Sequence, residues 1–135
     1  MDEQRFDKAK ADGSNPFPTT KYTMKIYIAV LDKVPSHMVP VLVAHAMLGA
    51  HIQFQRDLPP ESYQRYGEWI RNSFRKVVVK VNQKEFDKIA LLPEVYLAHE
   101  NTTLEGNKSC AVVLPGAEMP NVLKFAKLWS PNESN

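Results

Sequence analysis

The chain is short of several things. It has one cysteine in 135 residues, Cys110. No intramolecular disulfide can form, and a reducing compartment suits such a chain. Charge of one sign is scarce: 17 Lys plus Arg stand against 15 Asp plus Glu, a formal +2. That balance is too mild to argue for nucleic acid by itself. No apolar run approaches the roughly 20 residues that a membrane span needs. The first residues, MDEQRFDKAKADGSNPFPTT, are polar and hold no apolar core of a targeting peptide. The expectation is a soluble cytoplasmic protein with no membrane contact. The five glycines are scattered, so there is no Gly-rich phosphate loop. Among four histidines and one cysteine there is no His-x-x-x-His or Cys-x-x-Cys pair, and no metal or cofactor is expected. Internal repeats and low-complexity segments are also absent.

With 44% hydrophobic residues, the chain can bury a core without staples, and its length suits one domain. Residues 1–20 mix charge with Gly, Ser, Asn and Pro and read as a flexible arm. Residues 21–130 read as a single domain and 131–135 as a tail. TMKIYIAVL (23–31) is β-branched, aromatic and apolar at its centre, which predicts a strand covered on both faces. A helix follows from Ser36 or Val39 to Phe54, with Pro40 in its first turn. Val39, Val43, Ala46, Met47, Ala50 and Phe54 make one apolar stripe. Val41, Leu42, His45, Gly49 and Ile52 make a second, so heavy burial is expected around most of its circumference. Gly49 leaves room for another element to approach beside His45.

After RDLPPE, residues 62–74 give a weaker helix signal on Tyr63, Tyr66, Ile70 and Phe74, with Trp69 beside them and Gly67 against it. KVVVKV (76–81) predicts a second strand. Asn82 and Glu85 have capping-box spacing for a short helix reaching about Leu91, stopped by Pro93. EVYLAHE (94–100) and KSCAVVLP (108–115) predict strands three and four, joined by a turn. Cys110 then reads as a small core residue. Val122, Phe125, Ala126 and Trp129 suggest a closing helix. The order implies an α/β fold: three layers, a mixed four-stranded sheet with helices on both faces, the last two strands antiparallel and the helical crossovers joining parallel pairs.

Four segments carry a resemblance. They are KIYIAVLDKV, VPVLVAHAMLGA, WIRNSFRKVVVKVNQKEF and VYLAHENTTLEGNKSCAVVLPGAEMPNVLKFAKLW. In order and spacing they resemble the type 2 peptidyl-tRNA hydrolase fold superfamily over about residues 23 to 130. They look closer to its uncharacterised members that lack the hydrolase active-site motif. The resemblance implies the fold, and it places His45 on the family's helix histidine. It departs at the chemistry. Met38 stands where the hydrolases have a lysine, and the glutamine of their helix is missing. Their Asp-Ala-Gly-Arg-Thr-Gln loop is here AHENTTLEG, without aspartate or arginine.

Two functional readings follow. One is a diverged hydrolase of an ester or related bond, with His45 as base and His99, Thr102 and Thr103 as the other candidate polar groups of the site. The other is a non-catalytic binding module for a small ligand, a nucleic acid or a protein. Arg71, Arg75, Lys76 and Lys80 are the candidate phosphate contacts, against the alternative of a solvated rim of charge. His37 and His51 project to another side of the helix and read as solvent or rim residues. A homodimer fits the resemblance, with no face indicated.

Overall fold

The computed structural model describes residues 25–100, 107–116 and 119–131. The arm 1–20 and the tail positions 132–135 fall outside these residues, as do Thr102 and Thr103. The described part is α/β with a five-stranded mixed sheet. Its strands are β1 (Lys25–Leu31), β2 (Arg75–Val81), β3 (Tyr96–Glu100), β4 (Asn107–Val113) and β5 (Lys127–Leu128), in the order β3-β4-β1-β2-β5. Its helices are α1 (Val39–Asp57), α2 (Pro60–Asn72), α3 (Gln83–Ile89) and α4 (Asn121–Lys124).

β1 is interior because its sequence leaves it no wet face. Ile26, Ile28, Ala29, Val30 and Leu31 are all nearly inaccessible, and successive strand residues point to opposite faces. Both faces at β1 are therefore covered. Each large side chain buried there contributes about 1.5–3 kcal/mol of transfer free energy. β1 pairs with β2 in parallel, Lys25 beside Arg75 through Leu31 beside Val81. On its other edge it pairs antiparallel with β4. β3 and β4 form the expected antiparallel pair. A single parallel pair exists among the described strands, because β4 comes between β1 and β3.

The strand count departs from expectation. The closing helix stops at Lys124, Phe125 is 76% exposed, and Lys127–Leu128 form β5. Val79 and Lys80 pair with Leu128 and Lys127, and the Trp129 N–H donates to the Val78 carbonyl at 3.0 Å. The outer edge of β2 offers unpaired backbone groups, and pairing them outweighs a helical pattern of only a few residues.

α1 also departs. Its buried residues are Val39, Leu42, Ala46, Ala50 and Phe54, a single stripe against the sheet. Val41, His45, Leu48 and Ile52 are exposed. Heavy burial around the circumference does not occur, because nothing among the described residues covers the far side. By length and composition alone, the helical stretch Ser36–Asp57 could cross a membrane. Pro40 lies in the first turn of α1 as expected, and extended Leu58 before Pro59 ends the helix.

In α2 the buried stripe is Ser62, Tyr66 and Trp69, not Tyr63, Tyr66, Ile70 and Phe74. The helix is rotated so that Trp69 is enclosed. The Trp69 indole N–H then donates to the Arg75 carbonyl at 2.8 Å, which satisfies the one polar atom of a large apolar ring. Tyr63 and Phe74 are left exposed. The α3 cap forms as its spacing predicts. Asn82 Oδ1 accepts from the Glu85 N–H, and the Asn82 N–H donates to Glu85 Oε1, both at 2.8 Å.

Candidate functional site

The histidine candidates lie on different surfaces. His45 is exposed on α1, one turn before Gly49. Gly49 faces Tyr96 of β3, and a Cβ there would lie 2.8 Å from the tyrosine Cζ. This is the close approach that Gly49 permits. Tyr96 therefore points toward α1, and strand alternation sends Ala98 the same way and His99 the other. His99 is exposed and sits opposite Lys108, at a bulge in the β3–β4 pairing. The described geometry does not bring His45 and His99 together. No group of three or more His, Cys, Asp or Glu suited to a metal occurs among the described residues. Cys110 is buried in β4.

His51, expected at the solvent or rim, is half-buried and has a partner: its Nδ1 and the Tyr66 hydroxyl are hydrogen-bonded at 2.8 Å, with the donor set by the imidazole tautomer. The bond joins α1 to α2. Burial raises the Tyr66 phenol above its ordinary pKa, so the tyrosine stays protonated there.

The basic candidates separate into two groups. Arg71, Arg75 and Lys76 are exposed at the junction of α2 and β2. Lys80 is four residues beyond Lys76, about 13 Å along the strand, beside Val30 and Lys127. The junction is built by a chain of rings running outward from the core. The Phe54 and Tyr66 rings meet edge to face at 5.2 Å, and Tyr66 stacks on Trp69 at 5.7 Å. Trp69 meets Phe74 at 5.1 Å, and Phe74 is 53% exposed.

Phe74 is held by its backbone. Its φ is 63° and its N–H donates to the Trp69 carbonyl at 2.7 Å, the left-handed ending of α2. Glycine usually takes this position because a Cβ costs about 1–2 kcal/mol there. Lys76 folds back over the ring, its Nζ 3.6 Å from the Phe74 centroid and 5.3 Å from that of Trp69. The same Nζ donates to the Phe74 carbonyl at 2.6 Å. Arg71 lies back along α2, its Nη1 at 3.1 Å from where a Cβ on Gly67 would stand. Arg75 is the in-register partner of Lys25, so these two side chains share one face of the sheet. Lys76 emerges on the other face.

The result is a half-open aromatic ring at the end of the sheet where β1 and β2 begin, with Lys76 over it and Arg71, Arg75 and Lys25 carried by the adjoining helix and strand ends. Such a corner can stack a planar group and contact anions around it. Sequence reasoning singled out three of these cations. It missed Phe74, assigned to the buried stripe, and Lys25, whose neighbour is set by strand register. The only available signal was the aromatic residue inside RNSFRKVVVK.

No protein-family model matches this chain. No curated protein matches it either.

Proposed function

We propose that the protein is a non-catalytic module that binds single-stranded RNA at the α2–β2 corner. The observation that carries this reading is Phe74: an aromatic side chain half open to solvent, fixed at positive φ, among Arg71, Arg75 and Lys76. A base stacks on the open part of the Phe74 ring, which buried Trp69 backs from the core, and Arg71 and Lys76 meet the adjacent phosphates. Arg75 and Lys25 extend the contact to the other face of the sheet. The formal charge of +2 is no obstacle, since a local cluster, not the total, sets a phosphate contact. The resemblance to a fold that includes hydrolases of peptidyl-tRNA makes RNA the nucleic acid to test first.

The test is fluorescence anisotropy of a labelled single-stranded RNA over a salt series. With three or four phosphate contacts, log K should fall against log salt with a slope of about −2 to −3. Phe74→Ala should weaken binding about tenfold, a base–aromatic stack being worth about 1–3 kcal/mol. Arg75→Glu should weaken it further and flatten the slope. No binding at low salt, or equal binding by all variants, would sink the proposal.

A second proposal keeps the chemistry implied by the resemblance. There His45 serves as base in ester hydrolysis without His99, which β3 sends to the other face of the sheet. Its support is that His45 stands open to solvent on α1. Peptide release from peptidyl-tRNA by the parent, lost in His45→Ala, is the expected result; no release by the parent removes this reading.

A further inference from the structure

β1 is a central strand with an opening on one face. It is paired on both edges, and its residues are buried without a break from Ile28 to Leu31, yet Tyr27 is only half-buried. Alternation puts Lys25, Tyr27, Ala29 and Leu31 on one face of the sheet and Ile26, Ile28 and Val30 on the other. α1 covers the second of these faces. Tyr96 meets Gly49 of α1, and Tyr96 is in register with Val112 and through it with Ile28. α3 covers the first. The connections from β1 to β2 and from β2 to β3 join parallel strands but run in opposite directions across the sheet. Right-handed crossovers then set their helices on opposite faces.

Length explains the opening. A helix of seven residues is about 10 Å long, whereas a strand of seven is about 23 Å long. α3 starts just after Val81, the register partner of Leu31, and packs against β1 and β2. It closes the Leu31 end, where Ala29 and Leu31 are buried, and runs out before the Lys25 end. There Tyr27 and its neighbour Val77 are half-buried, and Arg75, the partner of Lys25, is exposed. No hydrogen bond among the described residues holds the Tyr27 hydroxyl, and it is not a buried atom, so it opens to solvent.

We propose that this open half-face is the second stacking position of a single-stranded RNA path, with Tyr27 as the platform and Lys25 and Arg75 as its phosphate contacts. The path rests on the RNA reading of the α2–β2 corner and continues from it. Phe74 precedes Arg75 in the chain, Arg75 lies beside Lys25, and Tyr27 is two residues along from Lys25 on the same face. By strand geometry Tyr27 is about 11 Å from Phe74. One strand that stacks a base on Phe74 therefore rounds the end of the sheet past Arg75 and lays a later base on Tyr27. Sheet surfaces hold single-stranded RNA in this way, with aromatics stacking two or three bases. The charge is complementary, since Lys25 and Arg75 are both cations beside the ring. Tyr27 also gives the site a hydroxyl, open at the edge of the platform, that Phe74 lacks.

The test is anisotropy of a short labelled oligouridylate with the full chain, in parallel for parent, Tyr27→Leu, Tyr27→Phe, Lys25→Gln and Phe74→Ala. Tyr27→Leu should weaken binding about tenfold with an unchanged circular-dichroism spectrum, and Tyr27→Phe should bind like the parent. Lys25→Gln should flatten the slope of log K against log salt by about one. In the parent, a photoactivated 4-thiouridine oligomer should cross-link to the peptide that contains Tyr27, a readout that needs no variant to fold. Binding that depends on Phe74 but is the same in Tyr27→Leu overturns the sheet-face path and leaves the corner standing. Binding that depends on Tyr27 but not on Phe74 supports the platform and overturns the corner. No binding by the parent overturns both. Displacement of the RNA by polyglutamate at equal charge concentration assigns the cations to an acidic chain and overturns the path as well.

Discussion

Ser109 is fully buried in β4, and its hydroxyl has no hydrogen-bond partner among the described residues. It is the residue skipped by the β3–β4 pairing, where Ala98 meets Cys110 and His99 meets Lys108. A buried hydroxyl without a partner costs about 1–3 kcal/mol. Ser109→Ala should therefore leave stability unchanged or raise it by about 1 kcal/mol in urea denaturation; a loss of that size would reveal a partner. Gly67 gives a prediction of the same sign. A Cβ there meets only the mobile end of Arg71, and alanine is the better helix former, so Gly67→Ala should add about 0.5–1 kcal/mol. Tyr66 sets a pH dependence. Its folded pKa is raised by burial, so its stabilisation is complete below the unfolded value of about 10 and is lost as pH rises from there through the folded value. Denaturation midpoints measured from pH 8 upward should fall above about pH 10, and Tyr66→Phe should flatten that part of the curve. The same variant should cost about 1 kcal/mol at neutral pH by removing the bond to His51.

At the scale of elements, the parts held by local chemistry differ from those held by their neighbours. α3 is a helix of seven residues secured by a reciprocal cap. Asn82→Ala should cost about 1 kcal/mol, read from the denaturation midpoint, and Asn82→Gly a few tenths. The cap was legible in the sequence because both partners lie within four residues. β5 is the opposite case. It holds two residues on the edge of β2, and no local pattern announces it. The rotation of α2 belongs with it. Tyr63 and Phe74 fit a helical stripe as well as Ser62, Tyr66 and Trp69 do, and the choice turns on the Trp69 bond to Arg75, across the chain reversal. Glu94 shows the same dependence: at a φ of 62° it accepts from Ser62 at 2.7 Å, a pair 32 residues apart.

Across the whole molecule, stability should be graded from the centre of the sheet outward. β1 has paired neighbours on both edges and buried residues on both faces. Native-state hydrogen exchange should show Ile28, Ala29 and Val30 opening only with global unfolding, and Leu128 and Trp129 opening earlier by local fraying. Equal protection at β1 and β5 would contradict that gradient.

The sequence by itself determined the first four strands and the three helices between them, the α/β class, the buried place of Cys110, the capping box of α3 and the antiparallel β3–β4 pair. Each depends on periodicity or on residues close along the chain, where local geometry restricts the outcome to one answer. Only the tertiary structure decided the fifth strand, the exposed side of α1, the rotation of α2, the bond of His51 to Tyr66 and the separation of His45 from His99. These depend on which face of an element finds a neighbour. Apolar residues on two sides of a helix carry the same local signal whether one side or both are covered. The candidate site divides along the same line: Arg71, Arg75 and Lys76 were visible as a basic run, while Phe74 and Lys25 joined them only when backbone conformation and strand register were known.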